Sequence, residues 1–276
     1  MKNVASILLI ISTIAAWAGE HPTAPLLVAQ FPAANPSASA HPNAKPTPGA
    51  PAIGGPFAEL ITGDWASSEF KGLPFVLYAG IGLDPAKKYP LVVALHGKSQ
   101  NNENGGQVTG WMKSFTTPER YAKNPCIIIA PLCYQPFGGT GGGWGDKPGT
   151  QTIALVKELL RSLPVDKSRI YAIGHSMGGF GVCHLINSEP RLFAAGVPVS
   201  GCGGVPNPSI YRRSPVWLFH AADDSVVKVD GSRNFAKALD RVKACKYTEY
   251  PSGGHGIAGQ VFDDAAVHEW IFAQKR

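Results

Sequence analysis

Short runs of apolar, often β-branched residues alternate along the chain with segments whose apolar residues repeat at helical spacing. The apolar runs predict buried strands at residues 74–81, 91–95, 126–130, 169–173, 194–199, 216–220 and 247–250. The helical spacing predicts helices at residues 152–163, 177–187, 231–242 and 261–273, with Asp230 as a candidate N-cap of the third. Apolar strands that alternate with helices imply an α/β fold with a mostly parallel central sheet and helices on both faces.

The first 56 residues have a different composition from the rest of the chain. A short basic head, an apolar run and an A-x-A sequence at residues 16–18 predict a cleavable signal peptide over residues 1–18, with an uncleaved anchor as the alternative. Residues 19–56 hold nine prolines and nine alanines, so we expect a disordered, extended linker there. Residues 57–276 are long enough for one folded domain. A cleaved signal peptide indicates a secreted or periplasmic protein without integral membrane association.

A candidate nucleophile lies in the sequence RIYAIGHSMGG at residues 169–179. Its GHSMG segment, residues 174–178, fits the pattern G-x-S-x-G and stands between a predicted strand and a predicted helix, which is the context of a nucleophile elbow. The two outer glycines of the motif would let the strand and helix backbones approach closely. Ser176 is therefore the candidate nucleophile. The backbone N–H of Met177, at the helix start, is a candidate oxyanion donor.

Three further strand ends carry candidate site residues, because sites in parallel sheets form at the carboxyl ends of strands. After the strand at residues 91–95, the backbone N–H of Lys98 is the candidate second oxyanion donor, and we expect its side chain on the rim. Asp223 and Asp224 follow a later strand, and spacing alone does not choose between them. His255 lies in a glycine-rich loop after the last strand and is the candidate general base.

The order serine, aspartate, histidine along the chain matches the order in α/β-hydrolases. The other histidines of the folded part lie in the elbow, at strand ends or on helices, and we expect them to pack rather than react. They are His96, His175, His184, His220 and His268.

Several stretches of the chain resemble one family closely enough to name it. They are residues 124–133, 169–181, 216–220, 231–233 and 246–251. They resemble the α/β-hydrolase esterases often described as predicted peptidases, prolyl-oligopeptidase-like or polyhydroxybutyrate-depolymerase-like. The resemblance runs from about residue 91 to the C-terminus. It implies an α/β-hydrolase fold and a catalytic domain over residues 57–276.

The resemblance also assigns site residues. The family's nucleophile falls on Ser176 and its histidine on His255. Its acid, in a His-Gly-x-x-Asp-x-Val-Val pattern, falls on Asp224 rather than Asp223. The chain departs from the family pattern in having alanine at position 221 and lysine at position 228, and in lacking an aromatic residue after the histidine. The last departure leaves the size of the substrate open.

The resemblance implies hydrolysis of small-molecule or polymer-linked carboxylic esters through an acyl-enzyme on Ser176. A serine peptidase of the same fold and a non-catalytic binding protein on a hydrolase scaffold remain alternatives. The acids and histidines show no metal-binding spacing, so we expect no metal or cofactor. The net charge of +6, from 25 Lys and Arg against 19 Asp and Glu, includes no basic block, so we expect no nucleic-acid partner. A monomer is expected.

Two features remain open from the sequence. The glycine-rich stretch at residues 138–146 predicts either a lid that presents Trp144 to a substrate or a disordered surface loop. Five cysteines allow at most two disulfides and one free thiol. Cys126 and Cys133 should not pair, because extended chain would separate them by roughly 20 Å. Cys183 is expected to be buried on the helix that follows Ser176.

Overall fold

The computed structural model describes residues 53–98, 107–139 and 141–276. The predicted signal peptide and nearly all of the predicted linker lie outside these ranges. Eight strands form one sheet: β1 (Trp65–Phe70), β2 (Leu73–Tyr78), β3 (Tyr89–Leu95), β4 (Ile127–Pro131), β5 (Val165–His175), β6 (Ala195–Val199), β7 (Trp217–Ala221) and β8 (Lys246–Tyr250). The helices are α1 (Pro118–Lys123), α2 (Lys147–Ser162), α3 (Met177–Ser188), α4 (Pro208–Tyr211), α5 (Asp230–Ala238), α6 (Ala258–Asp263) and α7 (Ala265–Ala273).

The strand order across the sheet is β1-β2-β4-β3-β5-β6-β7-β8. The strands from β4 to β8 in this order are parallel, whereas β1 and β2 are antiparallel to their neighbours. The carboxyl ends of β3, β5, β7 and β8 therefore lie at one edge of the sheet, which is where the candidate site residues follow in the chain. The prediction of a mostly parallel sheet is confirmed.

Helices cover both faces of the sheet, because alternate residues of each buried strand point to opposite sides. On β3, Leu91, Val93 and Leu95 pack into one hydrophobic core, and Val92 and Ala94 pack into a second. The first core is completed by residues of α2, α3 and α5, and the second by residues of α6, α7 and the 3-10 helix at Gly110–Thr116. Among the residues that the structure describes, no helix has the length and apolar character needed to cross a membrane.

The predicted elements differ from the structure in several places. Strand β1 was not predicted, because it is a half-exposed edge strand without an apolar run. The short helices α1 and α4 were not predicted either. The predicted helix at residues 261–273 is two helices. They are divided at Asp264, whose carboxylate accepts the N–H of Ala266 and caps α7. Asp230 is not the N-cap of α5, since Val229 holds that position. Asp230 lies inside the first turn and pairs with Arg233 at 3.1 Å.

Candidate active site

Ser176 lies in a sharp turn between β5 and α3. Its backbone has φ 56° and ψ −121°, a conformation that costs a non-glycine residue free energy and recurs at functional turns. The turn is tight because a β-carbon at Gly174 would lie 2.4 Å from the Gly178 carbonyl oxygen. One at Gly178 would lie 1.9 Å from that of Leu95. The Ser176 N–H also donates to Val199 of β6 at 2.8 Å. Backbone contacts with the neighbouring strands β3 and β6 thus fix the position of the serine.

His255 reaches the serine from the other side of the site, in a 3-10 helix that follows β8. Its Nε2 lies 2.8 Å from Ser176 Oγ although the two residues are 79 positions apart in the chain. The loop is held in place by Asp223, whose carboxylate accepts the N–H groups of Gly254 at 2.8 Å and Gly253 at 3.3 Å. A third contact is a 2.6 Å hydrogen bond from His175 Nε2 to the His255 carbonyl oxygen. Since a carbonyl only accepts, His175 carries a proton on Nε2.

Asp224 lies behind His255, with its side chain fully buried. Its Oδ2 accepts from His255 Nδ1 at 2.8 Å, and its Oδ1 accepts the N–H groups of Val226 at 2.8 Å and Val227 at 2.9 Å. Burial raises the pKa of the Asp224 carboxyl. The hydrogen bonds from His255 and from the two backbone amides outweigh burial, so the net pKa is lowered. The carboxylate is therefore ionised at neutral pH.

These contacts fix the tautomer of His255. An ionised carboxylate only accepts hydrogen bonds, so His255 Nδ1 carries the proton that faces Asp224. In the neutral ring, Nε2 then has a free lone pair directed at the Ser176 hydroxyl. The structure thus brings Ser176, His255 and Asp224 into one hydrogen-bonded series that is able to remove the serine proton. Asp223 lies outside this series and supports the histidine loop instead.

Two further histidines, His175 and His220, contact this series of hydrogen bonds. The sequence predicted only that they pack. His175 bonds the His255 carbonyl oxygen, and its ring lies 4.9 Å from that of His255. Burial lowers the pKa of His175. His220 lies 3.1 Å from Asp224 Oδ2 through its Nε2. The family pattern could have pointed to His220, because it lies four residues before the acid in that pattern. For His175, the sequence offered no sign of this contact beyond its position inside the elbow.

The two candidate oxyanion donors lie at the start of α3 and three residues after the end of β3. Met177 is the first residue of α3, so its N–H has no partner within the helix. Lys98 is exposed and follows Gly97 at the end of β3, the strand that touches the elbow at Leu95.

Buried His96 holds this end of β3 in place. Its Nε2 accepts the Cys133 N–H at 2.9 Å, so its Nδ1 donates to the Gly97 carbonyl oxygen at 2.7 Å. Burial lowers the pKa of His96 to about 4, which keeps the ring neutral at neutral pH.

Trp144 does not present a surface to a substrate. Its side chain is fully buried, its ring centroid lies 5.2 Å from that of His96, and a β-carbon at Gly181 would lie 2.6 Å from it. The tryptophan is therefore part of the core between β3 and α3. Neither alternative left open for residues 138–146 holds for it, since Trp144 is neither presented to a substrate nor on a surface loop. All five cysteines are free thiols. Cys183 is fully buried on α3, as predicted.

Among the described residues, no three His, Cys, Asp or Glu side chains are grouped so that they could hold a metal ion. The hydrogen-bonded groups of the site are a hydroxyl, an imidazole and a carboxylate, which are chemically able to transfer a proton and bond a carbonyl carbon.

Comparison with known proteins gives consistent relatives. The sequence model of the prolyl oligopeptidase family matches residues 140–207. Feruloyl esterase B of Thermothelomyces thermophilus is 32% identical over 231 residues, with coverage of 67% of this chain and 77% of the relative. A bifunctional acetylxylan esterase/xylanase of Neocallimastix patriciarum is 26% identical over 178 residues, which span 63% of this chain but only 25% of that larger protein.

Solved structures agree with the sequence relatives. The crystal structure of a thermostable esterase is similar with a TM-score of 0.70 and 32% identity, over 79% of this chain and 64% of that one. The feruloyl esterase module of Clostridium thermocellum shares the fold with a TM-score of 0.60 at 14% identity, over 84% of this chain and 94% of that one. Together with the site geometry and the coverage of feruloyl esterase B, these similarities show that the chain belongs to the α/β-hydrolase esterases.

Proposed function

We propose that this chain is a secreted serine esterase that cleaves carboxylic esters through an acyl-enzyme on Ser176. The observation that carries the proposal is the series of two 2.8 Å hydrogen bonds from Ser176 Oγ to His255 Nε2 and from His255 Nδ1 to Asp224 Oδ2. This arrangement is the one that serine hydrolases use to activate a hydroxyl group. Membership in an esterase family supports ester hydrolysis as the reaction.

In the first half of the reaction, His255 Nε2 takes the proton of the Ser176 hydroxyl while the oxygen bonds the ester carbonyl carbon. Asp224 stabilises the imidazolium that forms, and its burial makes this interaction stronger than it would be in water. His255 then gives the proton to the departing alcohol oxygen, which leaves the acyl group on Ser176. Water, activated by the same histidine, releases the acid and restores the serine.

The negative charge on the carbonyl oxygen requires donors in the transition state. We assign them to the backbone N–H groups of Met177 and Lys98. The assignment is supported by the position of Met177 at the start of α3 and by the contact between β3 and the elbow. The Lys98 side chain is not needed for this role.

Among possible substrates, we favour esters with an aromatic acyl group. Feruloyl esterase B is similar to this chain over 77% of its own length. Phe137, which is 46% exposed, packs edge-on at 5.6 Å against Phe180 in the first turn of α3, so an aromatic surface lies on the helix that begins at the nucleophile. The acetylxylan esterase/xylanase makes acetyl esters the second candidate class.

Secretion is proposed from residues 1–18, and N-terminal sequencing of protein exported from an expression host would test it.

The decisive experiment measures hydrolysis of 4-nitrophenyl acetate, longer 4-nitrophenyl esters, methyl ferulate and chromogenic dipeptides. We expect ester cleavage by the wild-type protein and its loss in Ser176→Ala. Cleavage of peptides without cleavage of esters would favour the alternative peptidase. Inactivity on both classes, with the ability to bind carbohydrate, would favour a binding protein on this scaffold.

The oxyanion assignment has its own test at position 98. Lys98→Ala keeps the backbone N–H, so we expect kcat within about threefold of wild type. Lys98→Pro removes that N–H and should lower kcat about a hundredfold, the typical loss of one oxyanion donor. Thermal unfolding of both variants controls for misfolding. An equal kcat in the two variants would contradict the role of this N–H.

A further inference from the structure

A second histidine is bonded to the candidate catalytic acid, at the same carboxylate oxygen as His255. His220 lies near the end of β7, four residues before Asp224, with 1% of its side chain exposed. Both of its ring nitrogens have partners: Nε2 faces Asp224 and the Val227 carbonyl oxygen, and Nδ1 faces Ser232. Burial of an imidazole costs free energy unless its nitrogens are hydrogen-bonded, and here the bonds at both nitrogens hold the ring in one orientation.

The contacts of Nε2 determine where the proton of His220 lies. Nε2 is 3.1 Å from Asp224 Oδ2 and 3.0 Å from the Val227 carbonyl oxygen. Both oxygens only accept hydrogen bonds, so Nε2 must carry a proton and share it between them. His220 is therefore a donor to the same carboxylate oxygen that accepts from His255 Nδ1 at 2.8 Å.

The other ring nitrogen is anchored on α5. Ser232 Oγ lies 2.7 Å from His220 Nδ1, and the serine side chain is buried. With Nε2 protonated, the Nδ1 lone pair of the neutral ring accepts the serine hydroxyl proton. The two acceptors at Nε2 thus set the tautomer that places N–H toward Asp224, and Ser232, whose hydroxyl can donate or accept, holds the ring at Nδ1.

The carboxylate of Asp224 needs restraint at both oxygens. The backbone amides of Val226 and Val227 hold Oδ1, and rotation of the carboxyl group would carry Oδ2 away from His255. In the described part of the chain, His220 is the side chain besides His255 that bonds Oδ2.

Glu249, which pairs with His220 across the two strands, is bonded to Arg233 and Tyr247 instead. It does not compete for the imidazole.

We propose that His220 is a positioning residue of the esterase site: anchored by Ser232, it holds Asp224 Oδ2 in line with His255 Nδ1. The inference rests on the proposed function, since it concerns the orientation of the acid that assists the same histidine. The series of hydrogen bonds then runs from Ser232 through His220, Asp224 and His255 to Ser176. Its first residue, Ser232, lies on α5.

A matched pair of substitutions separates this role from simple packing. His220→Gln places an amide N–H near the position of Nε2, whereas His220→Asn is one methylene shorter and does not reach Asp224. We expect His220→Asn to lose about tenfold to a hundredfold in kcat with KM unchanged. This is the loss typically found when a residue that orients a metal-binding side chain by a hydrogen bond is mutated. We expect His220→Gln to remain within about threefold of wild type. Ser232→Ala should lose severalfold in kcat with the same KM.

The assay uses the full chain, 4-nitrophenyl acetate as substrate and a fluorophosphonate to count active sites, so that kcat refers to folded, reactive protein only. Equal losses in the Gln and Asn variants would overturn the proposal. If His220→Asn does not fold, Ser232→Ala decides, and an unchanged kcat in that variant would overturn it. An inactive, unlabelled wild-type protein would instead refute the proposed function, and this inference with it.

Discussion

The elbow that carries Ser176 and the loop that carries His255 are joined by hydrogen bonds of 2.8 Å from Ser176 and 2.6 Å from His175, yet they are built differently. The elbow is fixed by backbone contacts, with a β-carbon at Gly178 excluded by the Leu95 carbonyl oxygen. The histidine loop has open space around Gly256, and side-chain hydrogen bonds hold it, mainly those accepted by Asp223. The nucleophile is thus positioned by steric exclusion, and the base by side-chain hydrogen bonds with Asp223, His175 and Asp224 that substitutions can remove one at a time.

The largest effect is expected at the acid that supports the base. In Asp224→Asn, the amide group can donate to His255 Nδ1, which favours the wrong tautomer for taking the serine proton. Because the same change in a serine protease costs about 10⁴-fold in kcat, we expect a loss of that order. Steady-state hydrolysis of 4-nitrophenyl acetate measures it. A loss below about tenfold would show that Asp224 does not act on His255.

The next effect tests the steric side of the comparison. Gly178→Ala forces a β-carbon against a backbone oxygen that cannot move without shifting β3, so we expect a loss of about 3 kcal/mol in the free energy of unfolding and little activity. Gly256→Ala is the matched control in the histidine loop, where we expect a change of less than about 0.5 kcal/mol. Urea unfolding measures both. Equal stabilities of the two variants would contradict the comparison.

A pH-dependent effect comes from His96, beside the elbow. Burial lowers its pKa to about 4. Between about pH 6.5 and 4 the unfolded chain binds this proton and the folded chain does not. The stability that depends on neutral His96 is thus full above pH 6.5 and is lost as the pH falls toward 4.

We therefore expect His96→Asn to be less stable than wild type at pH 7, with the gap narrowing by about 2 kcal/mol at pH 4.5. Urea unfolding at the two pH values checks this. The Gly256→Ala protein should follow wild type at both. A gap that does not change with pH would show that His96 is not buried in its neutral form.

The smallest effect is expected in the support of the histidine loop. Asp223→Ala removes the acceptor for the Gly253 and Gly254 N–H groups, so His255 should spend less time in line with Ser176. We expect about a tenfold loss in kcat, which corresponds to about 1.4 kcal/mol and lies near the lower end of the roughly 1.5 to 3 kcal/mol that a hydrogen bond to a charged group contributes. A kcat equal to that of wild type would mean that the other contacts of the loop suffice.

The two regions also differ in how far the sequence predicts them. The elbow is encoded locally, because its glycines, strand and helix are consecutive, and its strand and helix lie where they were predicted. The contacts that hold the histidine loop join residues 30 to 80 positions apart. A local sequence pattern cannot predict such contacts. The choice of Asp224 rather than Asp223 as the acid therefore depended on the family resemblance alone. The roles of His175 and His220 were missed for the same reason.

Burial explains the remaining differences. Strand β1 lies at the sheet edge with alternate residues exposed, so it lacks the apolar run that marked the other strands. Trp144 lies in a glycine-rich stretch that looks mobile in sequence. The structure buries it against His96 and Gly181, which lie 48 and 37 positions away in the chain, so no local pattern predicts these contacts.

Covalent labelling tests the central claim most directly. The full chain is treated with a fluorophosphonate, and the adduct is located by mass spectrometry of the intact protein and its peptides. We expect one adduct, on Ser176, with none in Ser176→Ala and labelling at least about a hundredfold slower in His255→Ala. Ester hydrolysis that persists while Ser176 stays unlabelled, or an adduct on another residue, would contradict the account.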